Sequence, residues 1–468
     1  MSANVIVIAC DTFAPDHNGT ATFAKNLASA LQLKGREVHV IAPATSKLYG
    51  TFREKHDDVA FVVHRLKSYR LPFQPSQRFV NPFRLSKRIS GLLGAIKPDV
   101  VHIQNHLNVG HHAALAARAQ GIRLVATSHL DLESLVNNTI LAPKFVRTWL
   151  TKMLLDDAAR VFRGASAITV ASTRAKALLE KAVSGLAVYA ISGGVDVKRF
   201  AKIPPADQSS KELLYVGRLD REKHVYVALA AIAKLPQDSG ITLTLVGGGS
   251  QASELEQLAL ELGVNDRVHF AGELDDPGLF RALKGASAFL MPSAQELQSM
   301  ATLEAMAAGK PVIAANAMAL PSLVQDGKNG FLFEPDSPND LAQKIEELFA
   351  LDSKDFNGFG VTSRKIAETH NLSSTIATFE RLYNGLSLPE PDNAADLDFA
   401  PSSGLNERFE DFIEARTSGV LERLDGVRGA VAESFTDARF SIERRSKRVR
   451  RRISKSLRKA LDALRRDE

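Results

Sequence analysis

The chain has 468 residues, of which 45% are hydrophobic and 24% charged, a composition typical of a globular protein with room for two domains and a remainder. Its single cysteine, Cys10, excludes an internal disulfide and favours a reducing compartment. The net charge of +6 is concentrated at the end, because residues 441–468 contain twelve Lys/Arg against four Asp/Glu, whereas the preceding 440 residues are slightly acidic.

The N-terminus predicts a buried strand rather than a signal peptide. Its apolar run VIVIAC (5–10) follows no basic residue and stops at Asp11. No apolar stretch in the chain approaches the roughly 20 residues that a membrane-spanning helix needs. We therefore expect a cytoplasmic protein.

Apolar, β-branched runs then alternate with segments of helical period. Strands are predicted at 5–10, 37–43, 99–104, 123–129 and 167–172, and again, after a polar linker, at 212–218, 241–249, 267–272, 288–293 and 311–316. This alternation indicates parallel sheets with crossover helices, so the predicted fold class is α/β with two doubly wound, Rossmann-like domains joined near residue 205. Ligands bind beyond the carboxyl ends of such strands, which makes motifs at those ends the most informative.

The last part of the chain differs in character from the rest. Residues 389–405 read as an acidic, Pro-rich linker, and residues 406–468 have the period of a basic amphipathic helical tail. The apolar stripe of this tail consists of Ile442, Val449, Ile453, Leu457, Leu461 and Leu464. Such a helix favours contact with an anionic membrane surface through 441–468, and a solvated tail or a coiled coil fits the same pattern. Its arginine run is also compatible with nucleic acid, a partner that we do not expect.

Two strand ends carry groups suited to a phosphate. Gly19 precedes a helix, where free amides and the helix dipole favour an anion, although a simple turn also explains one glycine. In VGRLDREKH (216–224), Arg218 and Lys223 either neutralise a diphosphate leaving group without a metal or lie in a solvated loop. A third turn reads GGG (247–249) and lacks the GxGxxG spacing of dinucleotide-binding enzymes.

The histidines provide one candidate site residue. His129 ends a predicted strand in SHLD (128–131), where a buried structural histidine and a functional one are both compatible with the pattern. Four others have neither an HExxH helix nor a cysteine partner, so we predict no metal site from His102, His106, His111 and His112.

The segment SAQELQSMATLEAMAAG (293–309) carries two glutamates eight positions apart. Glu296 lies in a loop and Glu304 in the second turn of the helix that follows, so both can face one cleft. Glu304 can accept hydrogen bonds from the two vicinal hydroxyls of a ribose, and Glu296 from hydroxyls of a sugar. Helix N-terminal amides suited to phosphate oxygens belong to Ser299, Met300 and Ala301. These features together indicate a nucleotide-sugar site.

The motifs resemble those of the retaining glycosyltransferases of family 4, which have the two-domain GT-B fold. The resemblance extends from about residue 4 to residue 385, and its most specific element is E-x7-E followed by EAMAAGKPVIA. It implies an N-terminal acceptor-side domain over 1–190, a C-terminal nucleotide-sugar-binding domain over 191–365 and a crossover helix over 366–388.

The resemblance also implies transfer of a hexosyl group from a nucleoside diphosphate sugar, with retention at the anomeric carbon and no cofactor. The family's phosphate-binding Arg and Lys correspond to Arg218 and Lys223, its glycine loop near the diphosphate to Gly19, and its active-site histidine to His129. The implied catalytic residues are His129, Arg218, Lys223 and Glu296, and the implied donor-binding residues are Gly19, Ser299, Met300, Ala301 and Glu304.

The sequence departs from the family's pattern at three places, one of which is Asn18, which precedes Gly19 where many members have another glycine. Many members have a GFG-like run between the glutamates, where this chain has LQSMA (297–301). Ser192 and Gly193 stand where Pro-Asn is usual. Gln298 and the Asn-Gly form before the first helix are similar to members that glycosylate diacylglycerol-type lipids.

The acceptor is therefore predicted to be a membrane lipid, with a carbohydrate as the other acceptor class. A second basic amphipathic segment, 134–157, contains the only tryptophan, Trp149; it is either a packed helix or a surface that meets lipid headgroups. Together with the tail it favours peripheral association with the inner face of the membrane. Three alternatives stay open: a soluble glycosyltransferase acting on a sugar, polysaccharide precursor or small metabolite, a nucleotide-sugar epimerase, and a non-catalytic binding protein.

Overall fold

The computed structural model describes residues 3–16, 18–56, 58–71, 74–129, 144–183 and 185–388. All of them belong to the first of two compact units, Met1–Leu388. The second unit, Pro389–Glu468, contains the predicted linker and basic tail and lies outside the described residues.

The first half of the described chain forms one large sheet and a hairpin. Its strands are β1 (Val5–Ala9), β2 (Glu37–Pro43), β3 (Gly50–His56), β4 (Val59–Leu66), β5 (Ser68–Leu71), β6 (Gln74–Val80), β7 (Val100–Ile103), β8 (Arg123–Ser128), β9 (Ala167–Val170) and β10 (Val188–Ala190). Its helices are α1 (Gly19–Leu33), α2 (Leu85–Ile96), α3 (Asn108–Ala119), α4 (Lys144–Phe162) and α5 (Thr173–Ala182). The sheet order is β10-β9-β8-β7-β1-β2-β4-β3, parallel except for the edge strand β3, and β5 and β6 form a separate antiparallel pair.

The second half forms a six-stranded parallel sheet in the order β13-β12-β11-β14-β15-β16. Its strands are β11 (Glu212–Val216), β12 (Thr242–Val246), β13 (Val268–Gly272), β14 (Ala288–Met291), β15 (Val312–Ala315) and β16 (Gly330–Phe333). Its helices are α6 (Val197–Phe200), α7 (Val225–Lys234), α8 (Ala252–Glu261), α9 (Asp276–Gly285), α10 (Met300–Ala307), α11 (Pro338–Ala350), α12 (Ser353–Thr369) and α13 (Leu372–Tyr383).

The two parallel sheets confirm the predicted fold class. Central strands such as β1 and β14 are apolar almost throughout and buried, because helices cover both faces of a doubly wound sheet. We call the eight-stranded sheet with its helices the first sheet domain and the six-stranded sheet with its helices the second. The carboxyl ends of the parallel strands carry the predicted motifs in both domains. No helix among the described residues is both long and apolar enough to cross a bilayer.

The segment 366–388, predicted as one crossover helix, is interrupted. Helix α12 ends at Thr369, and α13 begins at Leu372 with the Asn371 side chain as its N-cap. The interruption has a long-range cause, because Val195 forms a parallel bridge with Asn371. The N–H of Val195 donates to the carbonyl of His370, and its carbonyl accepts the N–H of Leu372.

Helix α13 nevertheless joins the core of the first sheet domain. Phe379 is buried against Phe23, with ring centroids 5.7 Å apart. The buried hydroxyl of Tyr383 lies 2.7 Å from Nδ1 of His102 on β7. The chain therefore returns to the first sheet after completing the second.

Candidate active site

The loop after β14 brings Glu296 to a lysine that follows a neighbouring strand. Lys223 Nζ donates to Glu296 Oε1 at 2.5 Å, and the two side chains are only 19% and 12% exposed. Lys223 ends a short 3-10 turn after β11, and β11 lies beside β14 in the sheet. Adjacent parallel strands thus place a carboxylate and a cation together, where a sugar hydroxyl can meet both an acceptor and a donor.

Arg218 lies on the same loop but is held by acidic neighbours. Its guanidinium forms ion pairs with Asp220 and, at 2.6 Å, with Glu222. The second carboxylate oxygen of Asp220 is fixed by the backbone N–H and the hydroxyl of Ser250, each at 2.7 Å. Arg218 is therefore oriented in advance, and an incoming diphosphate would compete with two carboxylates for it.

The glycine run 247–249 packs against this Arg218 loop. Gly247 has φ +130°, and a Cβ on it would lie 2.0 Å from the carbonyl oxygen of Gly217. A Cβ on Gly249 would lie 2.5 Å from the carbonyl oxygen of Leu219. The glycines allow two strand-end loops to come into backbone contact. This packing accounts for the glycine run, so a dinucleotide-binding role is not needed to explain it.

Between the two glutamates, one residue caps helix α10, and the next two residues present backbone N–H groups that the helix itself does not use. Ser299 is the N-cap of α10, is 4% exposed, and its Oγ accepts the N–H of Thr302 at 3.3 Å. The N–H groups of Met300 and Ala301 lie in the first helical turn and have no acceptor within the helix. The side chain of Ser299 is thus used by the fold, whereas the two following amides are suited to a phosphate oxygen.

Glu304 has different electrostatic neighbours from Glu296. Burial raises the pKa of Glu304 to about 7, and the nearby charges of Arg199 and Lys25 oppose that rise. Lys25 belongs to α1, so Glu304 lies within electrostatic reach of the first sheet domain. The two carboxylates therefore belong to different parts of the site.

Gly19 is the first residue of α1. The side chain of Asn18 caps this helix by accepting the N–H of Ala21 at 2.9 Å. A Cβ on Gly19 would meet no described atom within 4 Å. Packing does not require this glycine, which leaves the helix N-terminus accessible to an anion.

His129 follows β8 and is neutral near pH 7. Burial lowers its pKa to about 4, and its Nε2–H donates to Oε1 of Gln104 at 2.9 Å. In this tautomer Nδ1 is the ring's hydrogen-bond acceptor. The ring also lies against Phe23 of α1, with centroids 5.1 Å apart.

Two polar residues at strand ends of the first sheet domain were not predicted as site residues. Asp11 caps α3 by accepting the N–H of Val109 at 2.8 Å, and burial raises its pKa to about 7. Its other oxygen and the side-chain Nε2 of Gln104 are buried without a hydrogen-bond partner among the described residues. Gln104 directly follows β7 and Asp11 lies two residues after β1, and these strand-end positions could have identified both residues from the sequence.

The histidines considered for a metal site and the predicted acceptor segment do not form one cluster in the described part of the first sheet domain. The imidazole of His111 pairs with Asp157 on α4 at 3.0 Å, and His102 lies in the core. The described residues contain no group of three or more His, Cys, Asp or Glu side chains placed to hold a metal. Trp149 on α4 is 64% exposed, whereas residues 134–143 of the predicted acceptor segment lie outside the described residues.

Two family models match the chain, one for each sheet domain. Residues 17–199 match Glycosyltransferase Family 4, and residues 196–358 match Glycosyl transferases group 1. Both matches lie inside the region in which the sequence motifs resemble family 4 glycosyltransferases.

Individual proteins are similar over part or most of the chain. Glycogen synthase of Mycobacterium tuberculosis is 31% identical over 264 residues, which are 54% of this chain and 60% of that protein, so the match leaves a large part of the relative uncovered. Alpha-monoglucosyldiacylglycerol synthase of Streptococcus pneumoniae is 24% identical over 72% of this chain and 76% of its own length. The crystal structure of Anabaena Alr3699/HepE in complex with UDP-glucose aligns with a TM-score of 0.63 and 19% identity, covering 82% of this chain and all of that one. The structural likeness supports the GT-B fold.

Proposed function

This chain belongs to the family 4 glycosyltransferases, and from that premise we propose that it transfers a hexosyl group from a nucleoside diphosphate sugar to a membrane lipid, with retention at the anomeric carbon. The observation that carries the donor half is the Glu296–Lys223 pair beside the N-terminus of α10. The pair offers groups for a sugar and a diphosphate, and Glu304 on α10 adds a carboxylate for the ribose.

In the proposed reaction the bond between the anomeric carbon and the diphosphate oxygen breaks, and a bond from that carbon to an acceptor hydroxyl oxygen forms. The acceptor's proton passes to the departing phosphate oxygen. Lys223 and Arg218 neutralise the negative charge that develops on the diphosphate, assisted by amides at the N-termini of α1 and α10. No carboxylate is assigned as a covalent nucleophile.

The remaining groups position the donor. Glu304 accepts hydrogen bonds from the two ribose hydroxyls, and Glu296 accepts hydrogen bonds from hydroxyls of the hexose. His129 is neutral, so its Nδ1 can accept a hydroxyl of the sugar or acceptor without introducing charge. No cofactor is assigned a step.

A lipid acceptor is supported by a cluster of exposed rings and cations on the first sheet domain, which we call the aromatic–basic surface (Tyr49, Lys67, Tyr69, Phe79 and Arg88). Lys67 Nζ lies 5.9 Å from the ring centre of Tyr49 and 5.8 Å from that of Tyr69. The rings of Tyr69 and Phe79 are 5.9 Å apart, and the guanidinium of Arg88 is 6.0 Å from Tyr49. The three rings are 52%, 45% and 37% exposed, so the contacts form one continuous surface open to solvent.

This surface lies at the sheet edge that carries the site. Tyr49 follows the carboxyl end of β2 and Lys67 that of β4, and both strands lie on the same side of β1, whose carboxyl end leads to Gly19. Residues 47–88 contain ten Lys/Arg and three Asp/Glu, a local charge of +7. Leu48 and Phe83, which are 72% and 76% exposed, add apolar area in the same stretch.

The combination matches the interface of an anionic membrane. Tyrosine rings suit the headgroup level, long basic side chains reach lipid phosphates, and each cation contributes about 1 kcal/mol near an anionic leaflet. The similarity to a monoglucosyldiacylglycerol synthase agrees with an acceptor in that interface.

The test is a transfer assay with the full chain. UDP-, GDP- and ADP-linked hexoses are supplied with vesicles that contain a diacylglycerol-type acceptor in either anionic or zwitterionic lipid. We expect glycolipid formation on anionic vesicles with one donor class. The triple variant Tyr49→Ala/Lys67→Ala/Tyr69→Ala is expected to bind these vesicles at least tenfold more weakly while it retains donor hydrolysis, because the altered residues lie outside the donor site.

The matched control removes the same number of exposed side chains from the second sheet domain. Leu260→Ala/Lys354→Ala/Val361→Ala eliminates two exposed apolar groups and one cation and should bind vesicles like the wild type. Equal loss in both triple variants, or none in the surface variant, would contradict the membrane assignment.

A carbohydrate acceptor is the second candidate, favoured by the similarity to a glycogen synthase. Short glucan or sugar acceptors in the absence of vesicles separate the two. Transfer to these acceptors at a higher kcat/KM than to lipid would assign the chain to the soluble class.

A further inference from the structure

The segment between the two site glutamates is bonded to the first sheet domain. The hydroxyl of Ser172, at the end of β9, donates to the backbone oxygen of Leu297 at 2.5 Å. The side chain of Leu297 packs against the apolar core of that domain. A loop that begins in the second sheet is therefore anchored on the first.

Gln298 makes the most specific of these contacts. Its Oε1 accepts the N–H of Gly193 at 2.7 Å, and its Nε2 donates to Oγ of Ser192 at 2.7 Å. Ser192 and Gly193 lie between β10 and α6, in the segment that connects the two sheet domains. The carbonyl of Ser192 is held in turn by the hydroxyl of Thr375 on α13 at 3.0 Å. Both polar ends of one amide are thus used on the connection between the domains.

Gln298 and its partners Ser192-Gly193 also lie at two of the places where this sequence departs from the family's usual pattern. Proline at position 192 would have no hydroxyl for the amide of Gln298. A Cβ at Gly193 would lie 3.0 Å from Oε1 of Gln298 and 3.0 Å from Sδ of Met300, so a larger residue would crowd the contact. The unusual Gln298 and the unusual Ser192-Gly193 therefore form one matched unit.

This unit lies next to the groups assigned to the donor. Glu296 is two residues before Gln298, and the free amides of Met300 and Ala301 come two and three residues after it. A shift of Gln298 would displace the sugar-binding carboxylate and the phosphate-binding amides together. Because Gln298 is bonded to the segment that connects the two sheet domains, it links the position of these groups to the arrangement of the domains.

We propose that Gln298 is a positioning residue that links donor binding to the arrangement of the two sheet domains through Ser192 and Gly193. The proposal rests on the proposed use of a nucleotide-sugar donor and does not depend on the nature of the acceptor. When Gln298 is truncated, the loop 296–301 loses its two side-chain hydrogen bonds to the connecting segment, and the donor affinity falls.

The test measures binding of UDP and GDP to the full chain by calorimetry for Gln298→Ala, Ser192→Ala and the double variant. We expect Gln298→Ala to weaken binding of the preferred nucleotide by roughly tenfold and Ser192→Ala by about threefold, the range for one or two hydrogen bonds. The double variant should bind no more weakly than Gln298→Ala alone, because the second truncation removes a partner that is already lost. Gln298→Glu should bind within about threefold of the wild type, since its carboxylate still accepts from Gly193 and the Ser192 hydroxyl can donate to it.

A matched control and a second readout separate positioning from general stability. Gln343→Ala truncates an exposed glutamine on α11, 2.8 Å from Glu347, and should change neither binding nor the melting temperature. In donor hydrolysis the Gln298 variant should show a raised donor KM with a smaller change in kcat. Additive effects in the double variant, or a lowered melting temperature with unchanged nucleotide affinity, would overturn the proposal.

The outcomes also separate this proposal from the lipid acceptor. Absence of lipid glycosylation leaves the calorimetric result intact and contradicts only the acceptor assignment. If neither nucleotide binds the wild-type chain, the use of a nucleoside diphosphate sugar donor is contradicted, and so is the proposed role of Gln298.

Discussion

Lys223 and Glu296 neutralise each other in the absence of a donor, and this mutual pairing shapes what each can do. Their 2.5 Å contact is largely shielded from solvent, so removing one partner leaves the other charge poorly solvated and uncompensated. In the proposed reaction a donor inserts its sugar and phosphate groups between them. The proposed role of the pair therefore requires that this contact break when the donor binds.

We expect Lys223→Ala and Glu296→Ala each to lower kcat/KM for the donor by roughly 10²- to 10³-fold, the usual effect of removing a group that stabilises transition-state charge. Steady-state kinetics with the preferred donor provide the measurement. Lys344→Ala, which breaks a half-buried pair with Glu347 on α11, is the control and should retain full activity, because this pair lies outside the proposed site. Full activity in either site variant would show that the donor binds elsewhere.

Glu304 predicts a specific pH dependence of stability. Its folded pKa of about 7 lies above the ordinary value of 4.5, so the folded state binds a proton that the unfolded state has lost between these two pKa values. Stability therefore falls as the pH rises from about 4.5 to 7, and the cost is fully present above pH 7. Glu304→Gln removes this cost, which is at most about 3 kcal/mol.

Thermal melting of wild type and Glu304→Gln at pH 5 and pH 8 tests the sign. We expect the variant to melt higher than the wild type at pH 8, with a much smaller difference at pH 5, and to bind nucleotide more weakly because an amide accepts one ribose hydroxyl instead of two. A variant that is less stable than wild type at pH 8 would contradict the assignment of a buried, destabilised carboxylate.

At the scale of the elements, two glycines with the same sequence context of strand, loop and helix have opposite reasons to be glycine. Gly19 lies in open space at the start of α1, whereas Gly247 lies against the backbone of the Arg218 loop. The first is expected to serve a ligand and the second to serve packing.

Gly19→Ala should therefore leave the melting temperature unchanged or slightly higher, because alanine is the better helix former by about 1 kcal/mol, and it should weaken nucleotide binding by blocking the helix N-terminus. Gly247→Ala should lower stability by several kcal/mol, since its Cβ would meet the Gly217 carbonyl and φ +130° is strained for alanine. Melting curves and nucleotide calorimetry on both variants provide the comparison. Unchanged binding in Gly19→Ala would remove α1 from the donor site.

The sequence predicted most of the parallel strands but missed β4, although its run VAFVV is apolar, and the short strand β10. The recognised strands were identifiable because buried strands are apolar throughout. The edge strand β3, GTFREKH, is charged and half exposed, and nothing in its pattern distinguishes it from a loop. The break before α13 depends on the pairing of Val195 with Asn371, a contact between residues far apart in the sequence.

In the site, too, some arrangements follow from the sequence pattern and others do not. The pairing of Lys223 with Glu296 follows from two motifs at the ends of parallel strands, which meet at one edge. The contacts of Gln298 with Ser192 depend instead on which way a side chain points and on how two domains pack. The same is true of the hydrogen bond from His129 to Gln104, since local patterns contain no information on either side-chain direction.

At the scale of the whole molecule, the charge is distributed in separate regions. Residues 47–88 have a net charge of +7 and residues 441–468 one of +8, whereas the other 398 residues have a net charge of −9. A uniformly basic protein would bind anions without orientation. This distribution instead favours a defined approach to an anionic surface, with the site-bearing edge of the first sheet close to it.

Deletion of residues 406–468 removes one of the two basic regions. We expect the shortened chain to bind anionic vesicles at least tenfold more weakly, with a smaller dependence on salt, because fewer cations contact the surface. Donor hydrolysis should be retained, since every assigned site residue lies between 19 and 304. Co-sedimentation with vesicles at two salt concentrations measures the effect. Equal binding by both chains would show that the tail does not contribute.

Proton NMR can identify the product formed from an α-linked nucleoside diphosphate hexose and anionic vesicles containing a diacylglycerol-type acceptor. For a glucose-type donor we expect a new lipid-linked anomeric signal with the small coupling constant of an α-hexoside, formed by the wild type and lost in Glu296→Ala. A β-linked lipid product, or donor consumption that yields only free hexose or an isomerised nucleotide sugar, would contradict the proposed function.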